Sequence, residues 1–506
     1  MSSIIKSIML AVVLFVVPLL FLSAQHALPT VSAEESVRVA MNGSQNAFSG
    51  RDLQQDHNPA HQSVFGAQLL PGAGRTSVIT TAVEANLSWI HYDGTNRGLL
   101  WSNVEAEQGV RDWDQMALFE EEISKVSAAG LIPIVVVRST PTWAQKNPGR
   151  LCGAIREDAL DDFADFMRQL VERYSGAPYN VTYWEIWNEP DIHPGLVPST
   201  SYFGCWGNND DDDEYYGGGY YADMLKHVYP AMKGANPNVQ LVTGGLNLDC
   251  DPTNPPPNKD CKPAKFLEGI LQNGGGDYFD IVAYHAYSFW WATASGDWDL
   301  EHGYWKDRGG VTLGKADFLR EVMAQFGYQK PLILTETSLL CYNPKTNPDC
   351  PGEQFFGAQA NYVIRLYTRL WANNILGGTW FTLSYNGWRA SDLFGPNNTP
   401  KPAYQAMQFM ASLLSGATYG GSLGGSLGSS TLEGYSFLNA STNTQYQIYW
   451  TNDQNTTETL TLPPSTRKVY DKLGEEIAQS ATSATIEVGF EPIIIEMDAR
   501  FIYLPL

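Results

Sequence analysis

The chain has 506 residues, 43% hydrophobic and 12% aromatic, enough to bury one large core and a second smaller one. Its 32 Lys and Arg stand against 54 Asp and Glu, a formal charge of −22, which argues against nucleic acid or an anionic membrane surface as a partner and for a neutral one. Acidity alone only permits a sugar ligand; the 15 Trp and 26 Tyr speak for it more directly, because sugar rings present apolar C–H faces that stack on aromatics not used up in the core.

Residues 1–33 read as a secretory signal peptide. Lys6 precedes an apolar run from Ile8 to Leu22 broken by Pro18, and Val31-Ser32-Ala33 offers a small-residue cleavage site before Glu34. The rival reading, a retained membrane anchor, is disfavoured because the run is shorter than the roughly 20 residues a span requires. The expectation is a secreted or cell-surface protein. Residues 34–62 are polar and weakly patterned, a linker or an accessory strand.

From Phe65 the chain alternates strand and helix patterns. Strands are predicted at 65–70, 87–91, 131–137, 181–187, 239–244, 278–284, 332–335 and 378–383, with helical spacing between them, as in 158–174 and 359–373. Eight such units predict a TIM (β/α)8 barrel over residues 63–414. Beyond residue 415 the texture changes. The run GGSLGGSLGSS (420–430) reads as a flexible loop. Short Thr- and Tyr-rich strands follow at 435–438, 446–451, 458–462, 468–471, 485–488 and 493–497, predicting an antiparallel β-sandwich over 415–506.

Six cysteines, even in number and loop-placed, fit an oxidising compartment. Cys250 with Cys261 and Cys341 with Cys350 close short loops and leave Cys152 with Cys205, one connectivity among many. No spacing resembles a zinc site, and no metal ligand is assigned. The acidic run Asp210 to Glu214 has a calcium reading, but an unbroken run of like charges more often stays solvated. Tyr202, Trp206, Tyr215 and Tyr216 share that loop and are candidates for a sugar-binding wall.

Two strand ends carry the chemistry. YWEIWNEPD (183–191) runs as a core strand and stops at Pro190, which removes a ladder donor and leaves Glu189 at the strand's C-terminal lip. PLILTETS (331–338) ends another apolar strand in Glu336. A single Glu-Pro is usually a solvated loop carboxylate, but two glutamates on two strand ends of one barrel suit a glycosidase. Glycoside hydrolysis needs one carboxylic acid for the departing oxygen and one carboxylate at the anomeric carbon.

These residues, in this order, resemble clan A of the glycoside hydrolases, the retaining (β/α)8-barrel enzymes. Asn188-Glu189 matches the Asn-Glu pair that ends the clan's fourth strand, and Glu336 the nucleophile ending its seventh. DIVAYHAYS (280–288) matches the His-x-Tyr of the sixth with His285 and Tyr287, and GGTWFTLS (377–384) the aromatic of the eighth with Trp380. WSNVEAEQGVRDW (101–113) is similar to a loop of the branch containing β-xylosidases and α-L-iduronidases, and cellulase-like branches are close in feel. The likeness covers about residues 65–410. One departure stands out: the clan's arginine on strand two is replaced, in this register, by His91. The resemblance implies an O-glycoside hydrolase acting by double displacement on a β-linked or similarly equatorial oligo- or polysaccharide, with Glu336 as nucleophile and Glu189 as acid/base. It implies Asn188 on the sugar 2-hydroxyl, Tyr287 orienting Glu336, and His285 in the site, with Trp380 or Trp388 as a sugar platform and no cofactor. The alternatives are a transglycosylase on the same site and a non-catalytic carbohydrate-binding or adhesion protein on the same barrel.

Overall fold

The computed structural model describes residues 63–501 apart from 71, 73–75, 94–98, 208–212, 293–295, 302, 343–349, 425–430 and 480–484. The signal-peptide and linker readings of residues 1–62 therefore lie outside the described residues, as do Asp210 to Asp212 and the end of the Gly-Ser run.

The strand segments are buried along almost their whole length, as in β3 with its β-branched run IPIVVVR, because a parallel sheet is covered by helices on one side and its own closed interior on the other. Eight strands form the barrel: β1 Phe65–Leu69, β2 Trp89–Tyr92, β3 Ile132–Arg138, β4 Tyr183–Asn188, β5 Gln240–Gly245, β6 Val282–Trp290, β7 Leu332–Cys341 and β8 Gly378–Trp380. All pair in parallel in the order β5-β4-β3-β2-β1-β8-β7-β6, and bridges from Val242 to Ile281 and from Leu246 to Tyr284 join β5 to β6 and close the ring. The short pair Leu99–Leu100 extends beside the end of β3. Among the described residues, eight longer helices pack outside, beside the one-turn helix Trp101–Val104: α1 Thr76–Glu84, α2 Ala117–Ala128, α3 Leu160–Tyr174, α4 Gly218–Ala235, α5 Phe266–Gln272, α6 Val311–Gln325, α7 Glu353–Ala372 and α8 Pro402–Leu413. The predicted barrel stands with corrections to its strand bounds: β8, predicted to residue 383, ends at Trp380. β6 begins four residues later than predicted and ends at Trp290, and β7 ends at Cys341 instead of Thr335; the two remain paired to Trp290 and Cys341. The backbone ladder runs on through the polar residues that mark strand ends in the sequence, with His285 opposite Glu336 and Tyr287 opposite Ser338.

The C-terminal strands are β9 Thr418–Ser422, β10 Leu432–Asn439, β11 Thr444–Thr451, β12 Glu458–Thr461, β13 Thr466–Tyr470, β14 Glu476–Gln479, β15 Thr485–Val488 and β16 Ile493–Asp498. A six-stranded sheet ordered β9-β10-β11-β16-β13-β14 is faced by the pair β12-β15, with Tyr449, Leu460, Val469, Val488 and Ile495 buried between them. β9 and β14 escape the sequence pattern because TYGGS and EIAQ carry little β-branched alternation. The three disulfides join Cys152 to Cys205, Cys250 to Cys261 and Cys341 to Cys350, with Cα separations of 5.4, 5.5 and 5.8 Å, the pairing expected from their spacing.

Barrel and sandwich meet over a buried ionic cluster. Asp297, on the β6–α6 loop, accepts from Arg365 at 2.7 Å and Arg369 at 2.9 Å, both on α7, and Arg369 also reaches Glu433 of β10 at 2.6 Å. Arg365 donates to the carbonyls of Thr451 and Phe490 and stacks on the Phe490 ring at 3.8 Å. Burial resists the charge of Asp297, but the guanidiniums of Arg369 and Arg365 hold its carboxyl well below the usual range. Removing one member of such a cluster strands the others in low dielectric, at a cost of about 3–5 kcal/mol. Asp297→Ala should lose about that much in urea unfolding; a loss under about 1 kcal/mol would mean that the two arginines are satisfied without it.

Candidate active site

Strand β4 leaves the barrel through two residues in the left-handed region, Trp187 at φ 76° and Glu189 at φ 47°. Non-glycine residues pay for that conformation and keep it only where the surroundings over-determine it. The Glu189 N–H donates to the Gly245 carbonyl at 3.0 Å, which ties the strand exit to the end of β5. Glu336 lies within β7, in register with His285 of β6. The His285 Nδ1 is 3.0 Å from Glu189 Oε1 and 3.6 Å from Glu336 Oε2, and oxygens of the two glutamates lie within 4.8 Å of each other. The Tyr287 hydroxyl donates to Glu336 Oε2 at 2.5 Å. A glycine is required at 245: a Cβ there would meet His285 Nε2 at 2.1 Å.

Two carboxylates this close in a buried place repel, and the site's proton affinities follow from that. For Glu336, burial and the charge of Glu189 push the carboxyl pKa up, opposed by His285. For His285, burial favours the neutral ring, yet the Glu336 charge and the hydrogen bond and charge of Glu189 win, raising it to about 9. Burial and Glu336 push the Tyr287 phenol well above its ordinary value, so it stays a donor.

Beside these groups opens a cavity of about 630 Å³ whose walls include Asn188, Glu189, Glu336, Tyr287, Phe381 and Trp388. The Asn188 Oδ1 is buried with no hydrogen-bond partner among the described residues, a free acceptor at the wall. Trp388 shows 43% of its surface and packs edge-on against Tyr287 at 5.5 Å and Phe381 at 5.2 Å. The structure thus brings together Glu189, Glu336, Asn188, Tyr287 and Trp388.

Two expected binding residues do not reach the cavity. Trp380 is fully buried, donates its indole N–H to the Ser391 carbonyl at 2.6 Å and packs on Tyr362 of α7. Its neighbour Phe381, the first residue past β8, lines the cavity instead. His285 is fully buried as well and acts on the two carboxylates rather than at the wall. Nor do Tyr202, Trp206, Tyr215 and Tyr216 form the wall; Trp206 is buried against Trp187 at 5.0 Å, and Phe203 lines the cavity from that loop. Of the acidic run, Asp213 accepts from the backbone of Tyr215 and Gly217, and Glu214 pairs with Lys265 at 2.8 Å.

Sequence reasoning misses Gln68, Asp93, Arg138 and Lys315, all at the cavity. Asp93 and Arg138 form a buried ion pair at 2.5 Å. The first three have a legible signal, a polar residue at a strand's C-terminal end; Lys315, on a helix, has none. His91, standing where the clan has arginine, pairs with Glu185 inside the barrel at 3.2 Å, and guanidiniums reach the cavity from Arg138 of β3 and from Arg389 instead.

No protein-family model matches the sequence, and no curated protein matches it. Solved structures do. A family 39 glycoside hydrolase from Bacteroides cellulosilyticus is similar at TM-score 0.64 and 19% identity, over 87% of this chain and 81% of that one. A family 30 subfamily 8 xylanase from Clostridium acetobutylicum and a family 51 α-L-arabinofuranosidase from Bifidobacterium longum each give TM-score 0.55 and 14% identity, over 87% of this chain and 97% of theirs. The chain has the barrel fold of these clan A glycoside hydrolases.

The raised His285 has a pH signature. Its pKa rises from 6.5 to about 9 on folding, so the stability it contributes, about 3 kcal/mol, is fully present below about pH 6.5 and is lost as pH climbs through 9. Lys315 and Asp191 titrate nearby, at about 8 and about 7, so the test is the difference between wild type and His285→Gln. That difference in unfolding free energy should shrink between pH 6.5 and 9.5; a constant difference would show that the ring carries no proton.

Proposed function

We propose that this chain is a secreted retaining O-glycosidase that hydrolyses a β-linked, or similarly equatorial, glycan. The observation that carries the reading is the approach of Glu189 and Glu336, with oxygens within 4.8 Å. Retaining pairs stand about 5–5.5 Å apart, and inverting pairs leave about 6.5–9.5 Å for a water. The three disulfides suit an oxidising compartment, and among the described residues no helix is long and apolar enough to cross a membrane.

In the first step Glu336 attacks the anomeric carbon while Glu189 passes its proton to the departing oxygen. Tyr287 fixes the attacking carboxylate by hydrogen bond, and protonated His285 offsets the charge of the pair. Esterification then removes the charge of Glu336, and Glu189, now ionised, takes a proton from the water that releases the sugar. Asn188 offers its open amide oxygen to the sugar 2-hydroxyl, and Trp388 with Phe381 gives the ring an apolar face to stack on. The chemistry uses no cofactor.

A panel of aryl β-glycosides should find a substrate, with xylosides included because one structural neighbour is a xylanase. Aryl α-L-arabinofuranosides join the panel because another is an α-L-arabinofuranosidase. On that substrate Glu336→Ala should lose at least about a thousandfold in kcat/KM whatever the leaving group. Glu189→Ala should keep its glycosylation step on activated aryl glycosides, accumulate the intermediate, and be rescued by azide to a product of retained configuration. Near-native turnover by both variants would remove both glutamates from the mechanism.

A further inference from the structure

β6 and β7 rise above the barrel as a paired extension, and one face of it is aromatic. Along β6 the residues Ala286, Ser288 and Trp290 turn inward and are buried, Trp290 against Phe355 at 5.6 Å. Tyr287, Phe289 and, just past the strand, Trp291 alternate with them and are all partly open. Residues two apart on a strand share a face, so these three climb one side of the extension over about 13 Å, at about 3.3 Å per residue.

The row starts at the reaction centre and ends outside it. Tyr287 touches Glu336, and Phe289 lines the cavity, whereas Trp291 and Tyr342 lie beyond its walls. Neighbouring rings join the row into one surface. Trp388 packs on Tyr287 at 5.5 Å, the Arg389 guanidinium sits over both Phe289 and Trp388 at 5.4 and 5.9 Å, and Tyr342 meets Phe289 at 5.9 Å and Trp291 at 5.0 Å. Tyr342, 47% exposed, follows Cys341, whose disulfide to Cys350 pins the end of β7. Burial does not account for this row, since the opposite face of the same strand already supplies the core contacts. A contiguous, partly open aromatic surface whose charged member among the described residues is Arg389 is a binding surface for something neutral with flat apolar faces.

We propose that this ridge binds the continuation of the glycan, so that the substrate is an oligo- or polysaccharide of neutral, equatorially linked sugars, whose rings outside the cavity stack on Phe289, Tyr342 and Trp291. The proposal rests on the glycosidase reading for its substrate class. Continuity with the cavity identifies the occupant: a chain cleaved at Glu336 must leave the cavity, and the ridge leads out from the nucleophile.

The test is the double variant Trp291→Ala/Tyr342→Ala, which leaves every cavity-lining side chain in place, after its melting temperature is shown to match that of wild type. In native affinity gels cast with xylan, mixed-linkage β-glucan or glucomannan, wild type should be retarded by one of them, and the double variant should lose that retardation. On the same polymer its kcat/KM should fall about tenfold, while hydrolysis of the aryl glycoside stays within about twofold. Retention of the retardation by the double variant, or a wild type that none of the three retards, would overturn the proposal. If wild type is retarded through the ridge but cleaves neither polymer nor aryl glycoside, the ridge stands and the hydrolase reading falls.

Discussion

The constraint on which the rest depends is two carboxylates held together where water is scarce. Glu189 and Glu336 approach within 4.8 Å at a buried site, and in low dielectric their repulsion would drive them apart or neutralise one of them. The fold answers with His285, placed against both, and with the Tyr287 hydroxyl on Glu336. Each answer has its own structural demand. The ring of His285 needs Gly245 beneath it. Its carbonyl is held by the buried Lys315 ammonium at 2.9 Å, which also reaches the Asn247 carbonyl. Glu189 needs the left-handed exit of β4 and the Gly245 carbonyl to fix it.

The C-terminal domain takes part in shaping the cavity. Asp297 is clamped between Arg365 and Arg369, and the next residue, Trp298, forms part of the cavity wall while packing edge-on against Phe490 of the sandwich at 5.2 Å. An antiparallel bridge from Gly296 to Asp453 ties the same loop to the same domain. The loop that carries Trp298, Tyr304 and Trp305 to the cavity therefore has one side fixed by the barrel and the other by the sandwich. A buried ionic cluster adds little stability over an apolar one, and here it anchors the residue that precedes Trp298 in a wall of the site.

Local pattern carries a large part of the fold and some of the site. The eight strand-helix alternations, the change of texture near residue 415 and the two glutamates are all legible in the residues, because burial on both faces of a parallel strand leaves an apolar run in which a carboxylate stands out. Errors fall where a strand end has to be placed to the residue. Stopping β7 at Thr335 hides the extension that carries the aromatic ridge, and running the eighth strand on to 383 hides that the chain leaves the sheet at Trp380 and turns Phe381 to the cavity.

The sequence by itself determined the architecture and singled out the two glutamates, since hydrophobic periodicity and a carboxylate in an apolar strand pattern are local properties that no distant residue can disguise. Only the tertiary structure decided which groups share the site with them. Gln68, Asp93, Arg138, Lys315 and Phe381 come from different strands and a helix, and they meet because barrel closure sets each strand's stagger and tilt against its neighbours. That geometry is fixed by the sum of many packing contacts and written at no single position of the chain.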